Sequence, residues 1–237
     1  MGHIHLPDGV LPPWLIVLSF ALCGALLALA NRRLVTVRGA PLRIASMCSL
    51  MVLSMSIPIL FLPVHANMAA LAGIVLGGWQ ALVAVFVANL ILAFVQHGGI
   101  TVVGLNTLIL GTEAALASVL FSSVSRAGRL KGRHAPAAAA ATLVALLVAT
   151  VFMGAALVAS SPRGSAMWAL AQPFLGPAGI TLDNTLSLPA FGSPSLARVL
   201  LRLVVPVIIA GLAVETAITA LIVGFVAKVR PGLIDRH

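Results

Sequence analysis

The stretch ANMAALAGIVLGGWQALVAVFVANLILAFV, residues 66–95, decides how this chain folds. It runs for 30 residues without a charged side chain, and Gly77 and Gly78 interrupt it near its middle. A helix needs about 20 apolar residues to cross the hydrocarbon core of a membrane. The stretch therefore fits either one tilted crossing or a hairpin that enters the membrane and returns to the same side.

The whole chain has the composition of a membrane protein. Of its 237 residues, 8% are charged and 61% are hydrophobic, and the mean hydropathy is +1.15. An ordinary soluble domain has about 25% charged residues, so a soluble enzyme is excluded because too little polar surface is available to face water. The net charge of +9 does not indicate nucleic-acid binding, since basic residues gather at membrane edges, where they also contact anionic lipid.

Basic residues decide between the two forms of the 66–95 stretch. Segments 31–43 and 122–135 carry four Lys or Arg residues each, and the C-terminal tail carries three of the 14 in the chain. A single crossing would separate the first two segments. A hairpin bent at Gly77–Gly78 collects all three on one side, which the positive-inside rule identifies as the cytoplasmic side. We therefore predict the hairpin.

The remaining apolar runs complete an all-α, polytopic integral membrane protein. They cover residues 14–30, 44–62, 100–121, 136–159 and 199–227. Together with the two arms of the hairpin, they predict about seven transmembrane helices in a single transmembrane domain, 1–237, with the N-terminus outside. Segment 160–198 is rich in Gly, Pro, Ser and Thr and is predicted to be a long extracellular loop.

This topology brings four of the six histidines to the extracellular end. They are His3, His5, His65 and His97. Imidazole binds Zn, Ni, Co and Cu, and a terminal amine with neighbouring amides and an imidazole can wrap a square-planar Ni(II) or Cu(II) ion. Residues 1–10 are therefore a candidate extracellular metal-binding segment. Its candidate ligands are Met1, Gly2, His3 and His5, and the alternative is a terminal tip whose histidines bind nothing.

The histidines outside the terminal segment are interpreted one by one. His65 stands at a helix boundary and is either a metal ligand or a water-facing interface residue. His97 precedes two glycines and is a ligand, a neighbour of a ligand or a turn residue. Asp8, the acid nearest the terminal histidines, forms a turn or orients one of them. His134 lies in a basic cytoplasmic segment and is expected to be solvated.

Two carboxylates, Glu113 and Glu215, fall within apolar runs. Intramembrane ionisable groups are costly and are therefore candidates for function. They could relay protons, line a polar cavity, meet a basic residue of another subunit, or be protonated and hydrogen-bonded. Candidate polar partners within the bundle are Asn89, Asn106 and Gln96. The chain has no HExxH, GxSxG or P-loop motif, so we expect no catalytic residue, no bound nucleotide and no other cofactor.

Four ordered stretches resemble the CbiM/NikM family, the substrate-binding membrane components of cobalt and nickel energy-coupling-factor (ECF) transporters. They are residues 3–12 (HIHLPDGVLP), 65–79 (HANMAALAGIVLGGW), 97–106 (HGGITVVGLN) and 215–231 (ETAITALIVGFVAKVRP). The resemblance spans most of the chain except segment 160–198. It implies a metal site built from the terminal amine, the amide and imidazole of the histidine after it, and His65. That first histidine is His5 when Pro7-Asp8-Gly9 is aligned, or His3 when the terminus is aligned and Met1 is removed.

The resemblance also implies the protein's setting. Co2+ or Ni2+ is the transported substrate, and the chain is one component of an ECF-type ABC transporter in a prokaryotic cell membrane. The implied partners are a transmembrane scaffold subunit, ATPase subunits that supply the free energy, and a small accessory membrane subunit. Two rival functions stay open: an ECF component for an organic micronutrient, and an intramembrane metal-dependent enzyme that uses Glu113 and Glu215.

Overall fold

A computed structural model describes residues 8–9, 11–57, 65–95, 98–126, 132–160 and 205–234. Most of the candidate metal ligands and nearly all of the predicted loop 160–198 lie outside these residues. The ligands concerned are Met1, Gly2, His3, His5 and His97.

The described residues form seven α-helices and no strand, which confirms the all-α, polytopic prediction. The helices are α1 (Pro13–Leu34), α2 (Ala40–Ser56), α3 (Ala69–Leu76), α4 (Gly78–Phe94), α5 (Val103–Arg126), α6 (His134–Ser160) and α7 (Val205–Val229), followed by a short 3-10 turn, Pro231–Leu233. By length and composition α1, α5, α6 and α7 can cross a membrane, while α2 and α4 are apolar helices of 17 residues. Helix α3 has eight residues and is too short to cross alone.

Close contacts between helices show how they are oriented. Gly104 of α5 packs on the backbone of Phe20 in α1, and three residues further along both helices Thr107 lies beside Cys23, so α1 and α5 are parallel. Gly224 near the end of α7 packs on Ala135 at the start of α6, so these two helices are antiparallel.

These orientations gather the basic residues at one end of the bundle. The rings of Phe121, late in α5, and His134, at the start of α6, have centroids 6.3 Å apart, which joins α5 to the same end. We call this the basic end; it carries Arg32, Arg33, Arg126, Arg133, Lys228 and Arg230. The one-sided placement that led to the hairpin prediction is therefore present in the structure.

The helical structure of the hairpin is interrupted at the position that the sequence predicts. Helix α3 ends at Leu76 and α4 begins at Gly78, and Gly77 between them has a φ of +81°, a conformation that glycine adopts without steric cost. A Cβ at Gly78 would lie 3.5 Å from Cα of Ala115. Ala115 lies twelve residues after Val103, the first residue of α5, or about 18 Å along the helix axis. The bend therefore lies near the middle of the bundle.

Candidate functional site

Helix α3 begins inside the bundle, so its first N–H groups need partners from neighbouring residues. Asn67 Oδ1 accepts a hydrogen bond from the N–H of Ala69, and Glu113 Oε1 accepts one from the N–H of Ala70 at 3.2 Å. A carboxylate at a helix N-terminus is also favourable electrostatically, because the helix dipole is positive there. Glu113 therefore completes the end of the interrupted helix.

Asn67 joins two carboxylates that are 102 residues apart in the chain. Its Nδ2 donates to Glu113 Oε2 at 3.4 Å and to Glu215 Oε2 at 3.3 Å. The exposed fractions are 1% for Asn67, 0% for Glu113 and 1% for Glu215. We call these three residues the carboxylate cluster; it connects α3, α5 and α7 at the centre of the bundle.

Asn67, which contacts both carboxylates, was not among the partners considered from the sequence. Asn89 donates to the hydroxyl of Thr107 at 3.2 Å, Asn106 is buried in the first turn of α5, and Gln96 lies outside the described residues. Sequence reasoning missed Asn67. The signal was an amide side chain two residues after His65, at the start of an apolar run that has no charge.

Asp8 attaches the N-terminal segment to the start of α5. Its carboxylate accepts hydrogen bonds from the hydroxyl of Thr101, from the N–H of Thr101 at 2.8 Å and from the N–H of Ile100 at 3.2 Å. These bonds, the Thr101 hydroxyl first, hold the pKa of Asp8 below its ordinary value of 3.8. Asp8 thus anchors a turn, and its proposed action on a histidine stays a prediction.

The region beside Asp8 is closely packed. A Cβ at Gly99 would lie 2.4 Å from Asp8 Oδ1, so this position has no room for a side chain. Leu11, 6% exposed, packs with Val102 and Leu105. The chain that carries the candidate terminal ligands is therefore attached through Asp8 and Leu11 to the end of the bundle opposite the basic end.

His65 is half-buried and directly precedes two buried residues, Ala66 and Asn67, so it stands where the chain enters the bundle. Within the part of the chain that the structure describes, no three His, Cys, Asp or Glu side chains come together as a metal-binding group. The complete ligand set stays a prediction because its other members lie outside those residues.

His134 differs from the expectation of a solvated residue. It is half-buried, and its ring packs at a tilt of 36° on Phe121, whose side chain is 2% exposed. Since Phe121 lies on the buried face of α5, the His134 ring covers the inside of the bundle at the basic end.

Together these features define a class of protein. The structure is a polytopic helical bundle with a broken hairpin, and the half-helix α3 begins at buried carboxylates. Discontinuous helices that end inside the bundle, next to intramembrane ionisable groups, are typical of membrane transporters.

Comparison with known proteins identifies the family within that class. Residues 5–233 match the CbiM family, described as the cobalt uptake substrate-specific transmembrane region, and the chain belongs to this family. It is thus a membrane component of a metal uptake transporter rather than an enzyme.

Two crystal structures share the fold. One is a transition metal transporter with a TM-score of 0.63 and 20% identity, covering 97% of this chain and 93% of that one. The other is a truncated transition metal transporter with a TM-score of 0.62 and 20% identity, covering 95% of this chain and 97% of that one. No curated protein sequence matches this chain.

Proposed function

We propose that this chain is the substrate-binding membrane component of an ECF-type ABC transporter that imports Co2+ or Ni2+. The observation that carries the proposal is the buried carboxylate cluster at the start of α3, next to His65, in a chain of the cobalt-uptake family. Carboxyl oxygens and an imidazole nitrogen are both groups that bind divalent transition metals.

The first ligands come from the N-terminus. Seven residues precede Asp8, and a fully extended chain of that length spans about 24 Å. Glu113 is ten residues below Val103 at the start of α5, or about 15 Å. The terminal amine of Met1 or Gly2 can therefore reach the level of the carboxylate cluster, followed by the imidazole of His3, whereas His5 is three residues from Asp8 and its backbone extends about 10 Å.

The proposed ligand set is this amine, one N-terminal imidazole and His65. His97 and Asn106 would stand beside the site, while Glu113 and Glu215 would attract the cation to the centre of the bundle. Nitrogen ligands of this kind suit both Co2+ and Ni2+.

The transporter's remaining parts are proposed from the resemblance to the CbiM/NikM family and from the missing nucleotide-binding motif. Since the sequence has no P-loop, ATPase subunits would supply the free energy, through a scaffold subunit in the membrane and with a small accessory membrane subunit. In a prokaryotic plasma membrane, the basic end would face the cytoplasm and anionic lipid, and the N-terminus would lie outside. The metal would then enter at the Asp8 end and leave at the basic end.

The test is the metal content of the purified full chain, measured by elemental analysis together with mass spectrometry of the N-terminus. We expect bound Co2+ or Ni2+ in the wild type and loss of the metal in His65→Ala. His134→Ala is the matched control, because it removes an imidazole at the basic end and should leave the metal bound. Full metal content in His65→Ala, with a normal yield of membrane protein, would refute the proposed site.

A further inference from the structure

A groove of about 830 Å3 lies between α1, α2 and α4. Its lining is largely apolar and includes Leu27 and Leu34 from α1, Ile44 from α2, and Val83 and Val87 from α4. Pockets that hold small organic ligands usually measure about 300–1,000 Å3. The groove is therefore large enough for a ligand of that size.

The groove exists because α1 and α2 diverge. Only the five residues 35–39 join these two helices, yet each helix packs on α4 and the two make almost no contact with each other. An empty gap would deprive its lining of van der Waals contacts on one side. Lipid tails are as apolar as leucine side chains, so they can fill such a gap in a membrane.

The depth of the groove matches one leaflet of a membrane. At the basic end its lining includes Val35 and Val37, in the turn that joins α1 to α2. Along α2 the lining runs from Ala40 to Ser49, nine residues further on, or about 14 Å along the helix axis. The hydrocarbon core of a membrane is about 30 Å thick, so this depth is close to half of it. An acyl chain of the leaflet at the basic end therefore fits along the groove.

The turn at the basic end of the groove is rich in positive charge. Residues 9–112 contain no Asp or Glu, and segment 31–43 carries four arginines: Arg32, Arg33, Arg38 and Arg43. Arg38 lies between the lining residues Val37 and Ala40. Because no carboxylate is near these arginines in the sequence, the end of the groove favours a ligand with negative charge.

Backbone contacts hold the guanidinium of Arg43 at this turn. Its Nη2 donates to the carbonyl oxygen of Arg38 at 3.1 Å, and its Nε donates to that of Gly39 at 3.4 Å. A guanidinium has further N–H groups, and its planar arrangement of donors matches the oxygens of a phosphate. The apolar groove thus ends at a group that suits a phosphate.

We propose that this groove binds an anionic phospholipid of the leaflet at the basic end. An acyl chain lies between α1, α2 and α4, and the phosphate lies at Arg38 and Arg43. Basic pockets between transmembrane helices bind the head groups of anionic lipids in this way. The proposal does not depend on the transported metal.

The experiment uses the purified full chain in detergent and two phospholipid probes, phosphatidylglycerol and phosphatidylcholine, each with a photoreactive diazirine in an acyl chain. The first probe has a net negative charge and the second has none. After illumination, mass spectrometry of peptides identifies the labelled residues. The Tm is measured in parallel with the unmodified lipids.

The head-group contact is tested with the double variant Arg38→Gln/Arg43→Gln. Arg126→Gln/Arg133→Gln is the matched control, because it removes the same charge from the basic end but at residues that do not line the groove. Each arginine near an anionic lipid contributes enough attraction that losing two should weaken binding about thirtyfold.

The position of the acyl chain is tested with Ala45→Phe, which places a ring in the groove. Ala140→Phe is the matched control, because Ala140 is also an exposed alanine, six residues into α6 from the basic end. Since Ala45 is exposed as well, the larger side chain should not disturb the packing of α2.

We expect phosphatidylglycerol to label the groove-lining peptides of α1 and α2 at least about fivefold more strongly than phosphatidylcholine does. Phosphatidylglycerol at ten times its Kd should raise the Tm of the wild type and of both controls by about 3–6 °C. In Arg38→Gln/Arg43→Gln and in Ala45→Phe, the labelling should be lost and the Tm should rise by less than about 1 °C.

Equal labelling of the groove by the two probes would overturn the proposal, since the groove would then accept any lipid. An equal loss of labelling in both arginine pairs would overturn it too, because the overall charge of the basic end would be responsible. Unchanged labelling in Ala45→Phe would contradict the position of the acyl chain. The labelling is repeated in membrane vesicles of the producing cells, where its absence would show that another protein occupies the groove and would refute lipid as the occupant.

Discussion

Replacing Gly73 by alanine is expected to destabilise the protein strongly, because α3 and α5 touch there through their backbones. A Cβ at Gly73 would lie 1.9 Å from the carbonyl oxygen of Ala114 and 2.6 Å from its carbonyl carbon. Real Cβ atoms essentially never approach another atom closer than 3.0 Å, so the two helices must separate by at least about 1 Å. The displaced atoms belong to a rigid helix backbone and cannot rotate away.

The magnitude follows from the kind of contact. Overpacking a filled core costs typically 1–3 kcal/mol, and a backbone-to-backbone clash belongs at the upper end, about 3 kcal/mol. For a chain of this length, each kcal/mol lowers the Tm by about 2–4 °C, so Gly73→Ala should lower the Tm by about 6–12 °C.

The assay can use the protein's own cysteines. Cys23 and Cys48 are free, with exposed fractions of 1% and 5%, so a thiol-reactive fluorophore reports unfolding of the purified protein. Gly154→Ala is the matched control: an added Cβ there has no atom within 4 Å, and alanine favours the helix. A Tm of Gly73→Ala within about 2 °C of that control would refute the close packing of α3 on α5.

Two further variants, studied by the same Tm measurement, test the contacts of Asn67 at the start of α3 and the contacts of Asp8 at the start of α5. Asn67→Ala should lower the free energy of unfolding by about 2 kcal/mol, because the N–H of Ala69 and two buried carboxylates lose a partner; a change below about 0.5 kcal/mol would contradict the contacts. Asp8→Ala should lower the Tm at neutral pH. Since the folded pKa of Asp8 lies below 3.8, its contribution is present above that value and is lost as the pH falls through the folded pKa. The Tm difference from wild type should therefore vanish in acid, and a difference that persists at about pH 2 would show that the carboxylate charge is not its source.

Much of the fold was predictable because the forces involved act on each segment separately. The apolar runs follow from the cost of placing polar groups in hydrocarbon, and the hairpin follows from the one-sided distribution of Lys and Arg. The bend at Gly77 was visible because glycine readily adopts positive φ.

The site was less predictable, because contacts between distant segments depend on how helices rotate and align. Glu113 and Glu215 were visible as buried acids, but their shared partner Asn67 became evident only when α3 was placed between α5 and α7. His134 likewise looked solvated from its basic neighbours, whereas its ring packs on Phe121.

The sequence by itself thus determined the polytopic all-α class and the end at which the basic residues gather, since hydropathy and charge are properties of single segments. Only the tertiary structure decided that Asp8 binds the start of α5 and that the two acids meet at Asn67. The physical reason is that close contacts such as Gly73 on Ala114 and Gly224 on Ala135 set the register between helices, and with it which side chains meet inside the bundle.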